Sequence, residues 1–527
     1  MKKFTIAAVV ILGVLSASCA PHAVPITPAT LTPTPTHSPT AFRPFTPTAT
    51  FIPTATPTQT PSPTPTIPTP TPTPRPLLRP RYSLNGELDF YAHTITVEET
   101  LQYPNRSGTT LKKLVFDVEP NHGGGFVLQS AVIDGKKVPP SLSDTRLTLP
   151  LPKPLPPNST TTVHLTYRWK IPLKARMGLF YYTGEQINLM WWYPAIVPRT
   201  SKGWLWHPYL PYGEHIAQEP SDFTLSLKIK DAPAGTTAVG SMPLRLKNGR
   251  WEGKLTNARS CAVFISAKWQ KTERQAGKTK VLVYALPSQK PAAEAVAYNV
   301  AKALLLYGKL FGLGYGRSTF TVAEASVSDG MEFSGAALLS EDYFSHWNGT
   351  VKDNLIALAV HETAHQWWYD KVGNDPALEP WLDEALATYS ESLFYENEYH
   401  LQKWWWFFRV KALAPKGNVG MDIYHSGTMM GYFRAVYLHG AEFIAALRAK
   451  MGDKAFFAFL RDYARQMNGK LATRDDFFRI LRAHTKVDLT PLIKAYLAVP
   501  IPTPTPTPTP PWPTPTPTPT ATPSKGG

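Results

Sequence analysis

The sequence predicts an α+β protein, in which an N-terminal antiparallel β-sandwich-like domain precedes a mostly helical domain with one small sheet. Three observations carry that prediction. From Tyr82 to about Trp269 apolar residues recur at every second position, as in Val163, Leu165, Tyr167 and Trp169 or Phe223, Leu225, Leu227 and Ile229. Clusters of Gly, Pro and Asn separate these runs. From Ala293 onward the spacing becomes helical, interrupted by a strand-like run over residues 318–325. Beyond both parts the chain is Thr-Pro repeat, which cannot bury a core.

Taken in order, residues 1–19 read as a secretory signal. Lys2 and Lys3 precede an apolar run over residues 4–15, then Ser16, Ala17 and Ser18 lead to Cys19. The run is too short for a membrane span. A Cys directly after small residues resembles a bacterial lipoprotein signal, with Cys19 the lipid-modified first residue. Ser16 stands where such signals usually carry Leu, and plain secretion is the alternative. The expected location is the outer face of the bacterial cell membrane or envelope, or the extracellular space if Cys19 is unmodified.

Residues 20–80 form a Thr/Pro-rich spacer without packed structure, and the composition returns at residues 499–527 around Trp512. At about 3.1 Å per residue, some 55 extended residues would hold the folded part roughly 170 Å from an anchor.

With 527 residues and 43% hydrophobic content, the chain has material for two or three domains with cores. The net charge of +16 raises the question of nucleic acid. No nucleic-acid-binding fold or basic stripe with interleaved aromatics answers it, so nucleic acid is not an expected partner, and neither is an obligate protein partner. Besides Cys19 the one cysteine is Cys261, in the apolar run Ala262-Val263-Phe264-Ile265, which excludes a disulfide framework and reads as a buried thiol. The aromatic stretch from Met190-Trp191-Trp192-Tyr193 to Trp206-His207-Pro208-Tyr209 reads as packing rather than as a substrate platform. Residues 271–280 are polar and unpatterned, which suits a link. The domain reading is therefore 81–272 for the β domain and 273–498 for the second.

The chemistry sits in Val360-His361-Glu362-Thr363-Ala364-His365. Four residues apart on a helix, His361 and His365 share one face and can share one metal ion. Glu362 lies about 100° round the helix from His361, able to reach a metal-bound water without ligating the metal. Leu355, Ile356, Leu358, Ala359 and Val360 predict a helix over residues 353–369 with the motif in its middle, capped by Asp353 or Asn354 and stopped by Gly373. A second helix is expected after Pro380, carrying Glu384 in its first turns, eighteen residues beyond His365. Two His and one Glu leave one tetrahedral position open, the arrangement of a catalytic zinc, and one zinc ion is the expected cofactor. The competing reading, two satisfied core histidines, would bury two imidazoles and two carboxylates without a cation, which is costly. Further helices are expected over residues 293–311, 433–451 and 456–467, with residues 353–498 almost wholly helical.

These residues resemble the aminopeptidase N family of zinc metallopeptidases, which includes leukotriene hydrolase. Trp381-Leu382-Asp383-Glu384-Ala385-Leu386-Ala387 is similar to its Trp-Leu-Asn-Glu-Gly-Phe-Ala, Asp329-Gly330-Met331-Glu332-Phe333 to its Gly-Ala-Met-Glu-Asn, and Val436-Tyr437-Leu438-His439-Gly440-Ala441 to its Tyr-Glu-Lys-Gly-Ala stretch. The gap of eighteen disfavours the thermolysin group itself, whose gap is longer. The resemblance implies a thermolysin-like catalytic domain in which His361, His365 and Glu384 hold zinc and Glu362 is the general base. It makes Tyr437 the oxyanion donor, with Tyr424 and Tyr432 as fallbacks. It also implies that Glu332, flanked by Gly330 and Met331, binds the substrate's free α-amine, so the protein would remove N-terminal residues from peptides. Gln218-Glu219-Pro220-Ser221-Asp222-Phe223 offers no match to the family's second amine anchor. The long members carry a helical domain over the cleft where this chain turns to Thr-Pro repeat, so a more open cleft is expected. The alternatives are a zinc endopeptidase on the same scaffold and a non-catalytic surface-binding module.

Overall fold

A computed structural model describes residues 79–174, 179 and 181–497. The expected signal, Cys19, the spacer through residue 78 and the tail from residue 498 lie outside the described residues. No helix among the described residues is long and apolar enough to cross a membrane.

The period-two pattern has a direct cause. Strand Arg81–Asp89 buries Tyr82, Leu84, Gly86 and Leu88 and turns the residues between them outward. It lies inside an eight-stranded sheet, antiparallel to Thr94–Pro104 and parallel to Ser221–Lys230. The parallel pair departs from the purely antiparallel expectation; more than a hundred residues separate the two strands, far more than a hairpin, so either direction is open to them. A four-stranded sheet containing Leu111–Asp117 and Arg146–Leu155 covers the inner face. Its Leu114, Phe116, Leu147 and Leu149 share one core with Ile95, Val97, Val163 and Leu165, which makes the half a sandwich.

The aromatic stretch is packing, as its composition suggested. Trp192 is fully buried and donates from Nε1 to the Cys261 carbonyl at 2.9 Å. Burial pushes the Cys261 thiol up to about 12, so it stays an inert thiol. Trp191 and Phe264 hold the ring of Phe333 at centroid distances of 5.6 and 5.7 Å. Phe333 thus joins the cores of the two halves.

The second half is built on a five-stranded sheet. Its strands are β1 (Gln270–Ala276), β2 (Thr279–Ala285), β3 (Thr319–Ala325), β4 (Gly330–Phe333) and β5 (Ala336–Ser340), in the spatial order β1-β2-β3-β5-β4. Residues 271–280 are therefore not a link. They form most of a hairpin at the sheet edge, and the boundary placed at 272/273 falls inside β1. An edge strand exposed along most of its length needs no apolar alternation, and here Glu273 pairs with Lys271 on its own strand and with Lys280 across the hairpin. Helix α1 (Lys290–Leu310) crosses from β2 to the parallel β3. Its Tyr307 hydroxyl reaches the carbonyls of Val360 and Ser390 at 3.2 and 3.0 Å, tying together the two helices that carry the histidines and Glu384.

Those helices are α2 (Asn354–Ala364) and α3 (Trp381–Tyr399). Asp353 caps α2 by accepting from Leu355 N at 2.9 Å. The helix stops at Ala364 rather than continuing to residue 369, so His361 lies in its last turn and His365 is the C-cap. The chain turns there because Trp367 and Trp368, both fully buried, pack against Phe311 and Tyr307. Gly373 does not stop the helix. It lies against the Arg259 guanidinium, which a Cβ there would meet at 2.4 Å. The region up to residue 497 is also less helical than expected, with Val372–Gly373 pairing as a strand with Lys470–Leu471. The helix expected over residues 433–451 exists with one irregularity: Phe433–His439 is wound as a π-helix leading into α4 (Gly440–Met451). The helix expected over residues 456–467 is α5 (Asp453–Met467).

Candidate metal centre

His361, His365 and Glu384 converge. The two Nε2 atoms stand 3.1 Å apart, and Glu384 Oε2 lies 3.4 Å from the first and 3.5 Å from the second. All three side chains are buried. Both imidazoles are held from behind, His361 Nδ1 donating to Glu391 Oε1 at 2.9 Å and His365 Nδ1 to the Trp368 carbonyl at 2.9 Å. Both partners are acceptors only, so the protons of neutral rings sit on Nδ1 and the two Nε2 lone pairs face each other. Such a contact is repulsive unless a metal ion or a shared proton lies between. Glu384 Oε2 has no hydrogen-bond partner, which a cation would also remedy. Donor atoms of one tetrahedral zinc, bound at about 2.0–2.2 Å, lie about 3.3 Å from one another, so the triangle fits that ion.

Without the ion, the charges show how the site is balanced. Burial acts to lower the His361 imidazole, yet Glu384 and Glu391 overcome it and raise it to about 9. Burial likewise opposes ionisation of Glu384, but His365 and His361 hold it down at about 2. Glu332 is raised to about 7, mainly by burial against the pull of His365. Burial raises Glu362 well above the carboxylate range, with Glu332 adding to it and His361 opposing.

Glu362, Glu332 and His365 form a second close group around the same cavity. Gly330 and Met331 line that cavity with them, as do Tyr432 and Tyr437. Tyr437 projects from the π-helical segment and donates to Glu384 Oε1 at 2.5 Å. Of the fallback tyrosines, Tyr424 is committed elsewhere, donating to the Pro208 carbonyl at 2.7 Å. Tyr432 lines the cavity with its hydroxyl unpartnered.

Four residues of this cavity or its support were given no role from sequence, although Asp329 heads a stretch that carries the resemblance. Glu391 is fully buried and accepts from Trp405 Nε1 at 2.9 Å and Arg409 Nε at 3.0 Å. It follows Glu384 by seven residues, two turns along one helix face, and that spacing was the available signal. Arg409 and Asp329 line the cavity. So does Glu214, from the β half, whose neighbour His215 lies 3.1 Å from Glu119 Oε2 in the buried base of that half. Gln218 and Glu219 are not among the lining residues; Gln218 accepts from Arg259 through its carbonyl and Glu219 pairs with Arg106.

The chain is similar to known proteins. The model of the peptidase family M1 domain matches residues 297–496. Aminopeptidase N of Lactococcus lactis subsp. lactis is 25% identical over 307 residues, 53% of this chain and 36% of that protein. Aminopeptidase N of Lactobacillus helveticus is 24% identical over 304 residues, with the same two coverages. The chain thus spans just over a third of the length of these curated relatives. The solved M1 zinc metallopeptidase from Deinococcus radiodurans superposes with a TM-score of 0.59 at 20% identity, covering 79% of this chain and 93% of that one, and shares the fold. Residues 297–496 thus match the peptidase family M1 domain, and the chain is similar to members of the aminopeptidase N family over about half its length.

Proposed function

We propose that the chain is a zinc metallopeptidase and acts as an aminopeptidase on peptides. One observation carries the reading: two buried imidazole nitrogens and a carboxylate oxygen without a hydrogen-bond partner face one point at the spacing of ligands to a single divalent cation. His361, His365 and Glu384 would hold the ion. When bound, zinc supplies Lewis-acid polarisation and makes a water acidic near neutral pH.

The remaining steps belong to side chains. Glu362 sits beside the ligands without being one of the three, with Oε2 unpartnered, and takes the proton of the attacking water. The same carboxyl then passes the proton to the leaving amine. Tyr437, one hydrogen bond from Glu384, donates to the oxyanion that develops on the carbonyl, a contact made chiefly in the transition state. Glu332 brings a buried Oε1 without a hydrogen bond, 3.8 Å from His365 Nδ1, to the cavity, which Glu214 also lines. A substrate's free α-ammonium would pair with Glu332, which favours removal of N-terminal residues over internal cleavage.

The test uses zinc-loaded full-length protein, aminoacyl amides and the same substrates N-acetylated. Hydrolysis abolished by acetylation supports the aminopeptidase reading, and hydrolysis indifferent to it selects an endopeptidase. Glu362→Gln should stop turnover and keep the metal; retained turnover would remove Glu362 from the role of base. We also infer export with Cys19 as a lipid anchor, supported by the charged, apolar and small-residue order of residues 1–19. Cys19→Ser would then release the protein from the membrane fraction, and unchanged membrane association would contradict the anchor.

A further inference from the structure

Strand β4 and the residue before it set out three carboxylate-related positions along the cleft. Glu332 is buried near its end. Two residues earlier, Gly330 abuts Glu362 so closely that a Cβ would meet Oε1 at 2.3 Å. One residue earlier again, Asp329 is exposed and lines the same cavity. Strand residues advance about 3.3 Å each, so the three positions span about 10 Å. On the aminopeptidase reading, on which this inference rests, Glu332 receives the α-amine of the first residue and Glu362 works at the first peptide bond. The direction of the substrate follows: the residue after the cut passes Asp329.

The charge at that point is unbalanced. Asp329 makes one long contact, from Tyr343 Oη at 3.5 Å to its Oδ1. Among the described lining residues Arg409 is the one Lys or Arg, against the five carboxylates of Glu214, Asp329, Glu332, Glu362 and Glu384. Arg409 gives Nε and Nη2 to Glu391 at 3.0 and 3.3 Å, so its charge, which also draws on Asp329, is shared between two carboxylates. Zinc would answer Glu384 and the α-amine Glu332. Asp329 is left as a solvent-accessible carboxylate on the leaving-group side of the cleft. A cation there gains attraction from the Asp329 carboxylate, whose pKa burial raises against the pull of Arg409 and His361.

We propose that Asp329 selects peptides whose second residue carries a cationic side chain, lysine or arginine. The experiment compares Ala-Lys-amide, Ala-Ala-amide and Ala-Glu-amide on the zinc-loaded full-length protein at low salt, with the first residue held constant. The expected kcat/KM is about tenfold higher for the lysine substrate than for the alanine one, and lowest for glutamate. Asp329→Asn should bring the lysine-to-alanine ratio close to one, and Asp329→Lys should invert the order in favour of glutamate. Equal rates on all three substrates with the wild-type chain would overturn the proposal, as would a lysine preference that survives Asp329→Asn. Cleavage of N-acetyl-Ala-Ala-amide at the rate of the free-amine substrate would instead overturn the aminopeptidase reading beneath it.

Discussion

Gly330 and Glu362 are in such close contact that a single methyl on the first would meet the carboxylate of the second at 2.3 Å. The obstacle is the far end of a flexible side chain, and Gly330 does not occupy the left-handed region, so alanine there is compatible with the fold. What moves is the base. Gly330→Ala should lower kcat at least tenfold while leaving zinc content and the melting temperature as in the wild type. Wild-type kcat in that variant would show that the position of Glu362 does not depend on this wall.

Glu391 fixes the His361 ring from behind, donor to acceptor, and is itself fixed by Trp405 and Arg409. Glu391→Gln keeps the shape and removes the charge that makes His361 a strong ligand. Zinc affinity measured by competition with a chelator should fall 10- to 100-fold. Unchanged affinity would reduce Glu391 to a counter-ion for Arg409.

Tyr437→Phe removes one hydroxyl from the cavity and leaves the ring, which stacks 6.1 Å from His361, in place. If that hydroxyl serves the oxyanion, kcat should fall about 10²- to 10³-fold with KM nearly constant. A loss confined to KM would assign Tyr437 to substrate binding, and an intact rate would pass the role to Tyr432.

Away from the metal, Glu324 is buried in β3 and accepts from Leu286 N at 2.7 Å. Burial raises its carboxyl from 4.5 to about 7, against that hydrogen bond. The folded state therefore keeps a proton that the unfolded chain releases between about pH 4.5 and 7, and its contribution to stability declines as pH rises through that window. Glu324→Gln should remove this decline. Denaturant titrations should show the variant gaining on the wild type from pH 4.5 to 7 and holding a constant difference outside it. A difference flat across the window would contradict a buried, protonated Glu324.

The parts of this site legible in the sequence are those set by helical geometry. Residues four apart at His361 and His365 must share a face, and the apolar pattern after Pro380 put Glu384 on a neighbouring helix. The end of α2 was not legible, because it is enforced by Trp367 and Trp368 packing on Phe311 and Tyr307, contacts distant in sequence. Residues 271–280 misled for a related reason: an edge strand paired through Lys and Glu carries no apolar period. The sandwich was readable from alternation, but its parallel pair was not, since alternation says nothing about direction. Glu214, Asp329 and Arg409 enter the cavity from loops and an irregular helix, where no spacing rule connects them to His361.

The account rests on one ion held by three side chains, and metal analysis of the purified protein tests it most directly. The wild-type chain should carry one zinc per molecule, and His365→Ala and Glu384→Gln should each carry nearly none while remaining folded by circular dichroism. A wild-type chain free of zinc after incubation with the ion, or full occupancy in both variants, would contradict it.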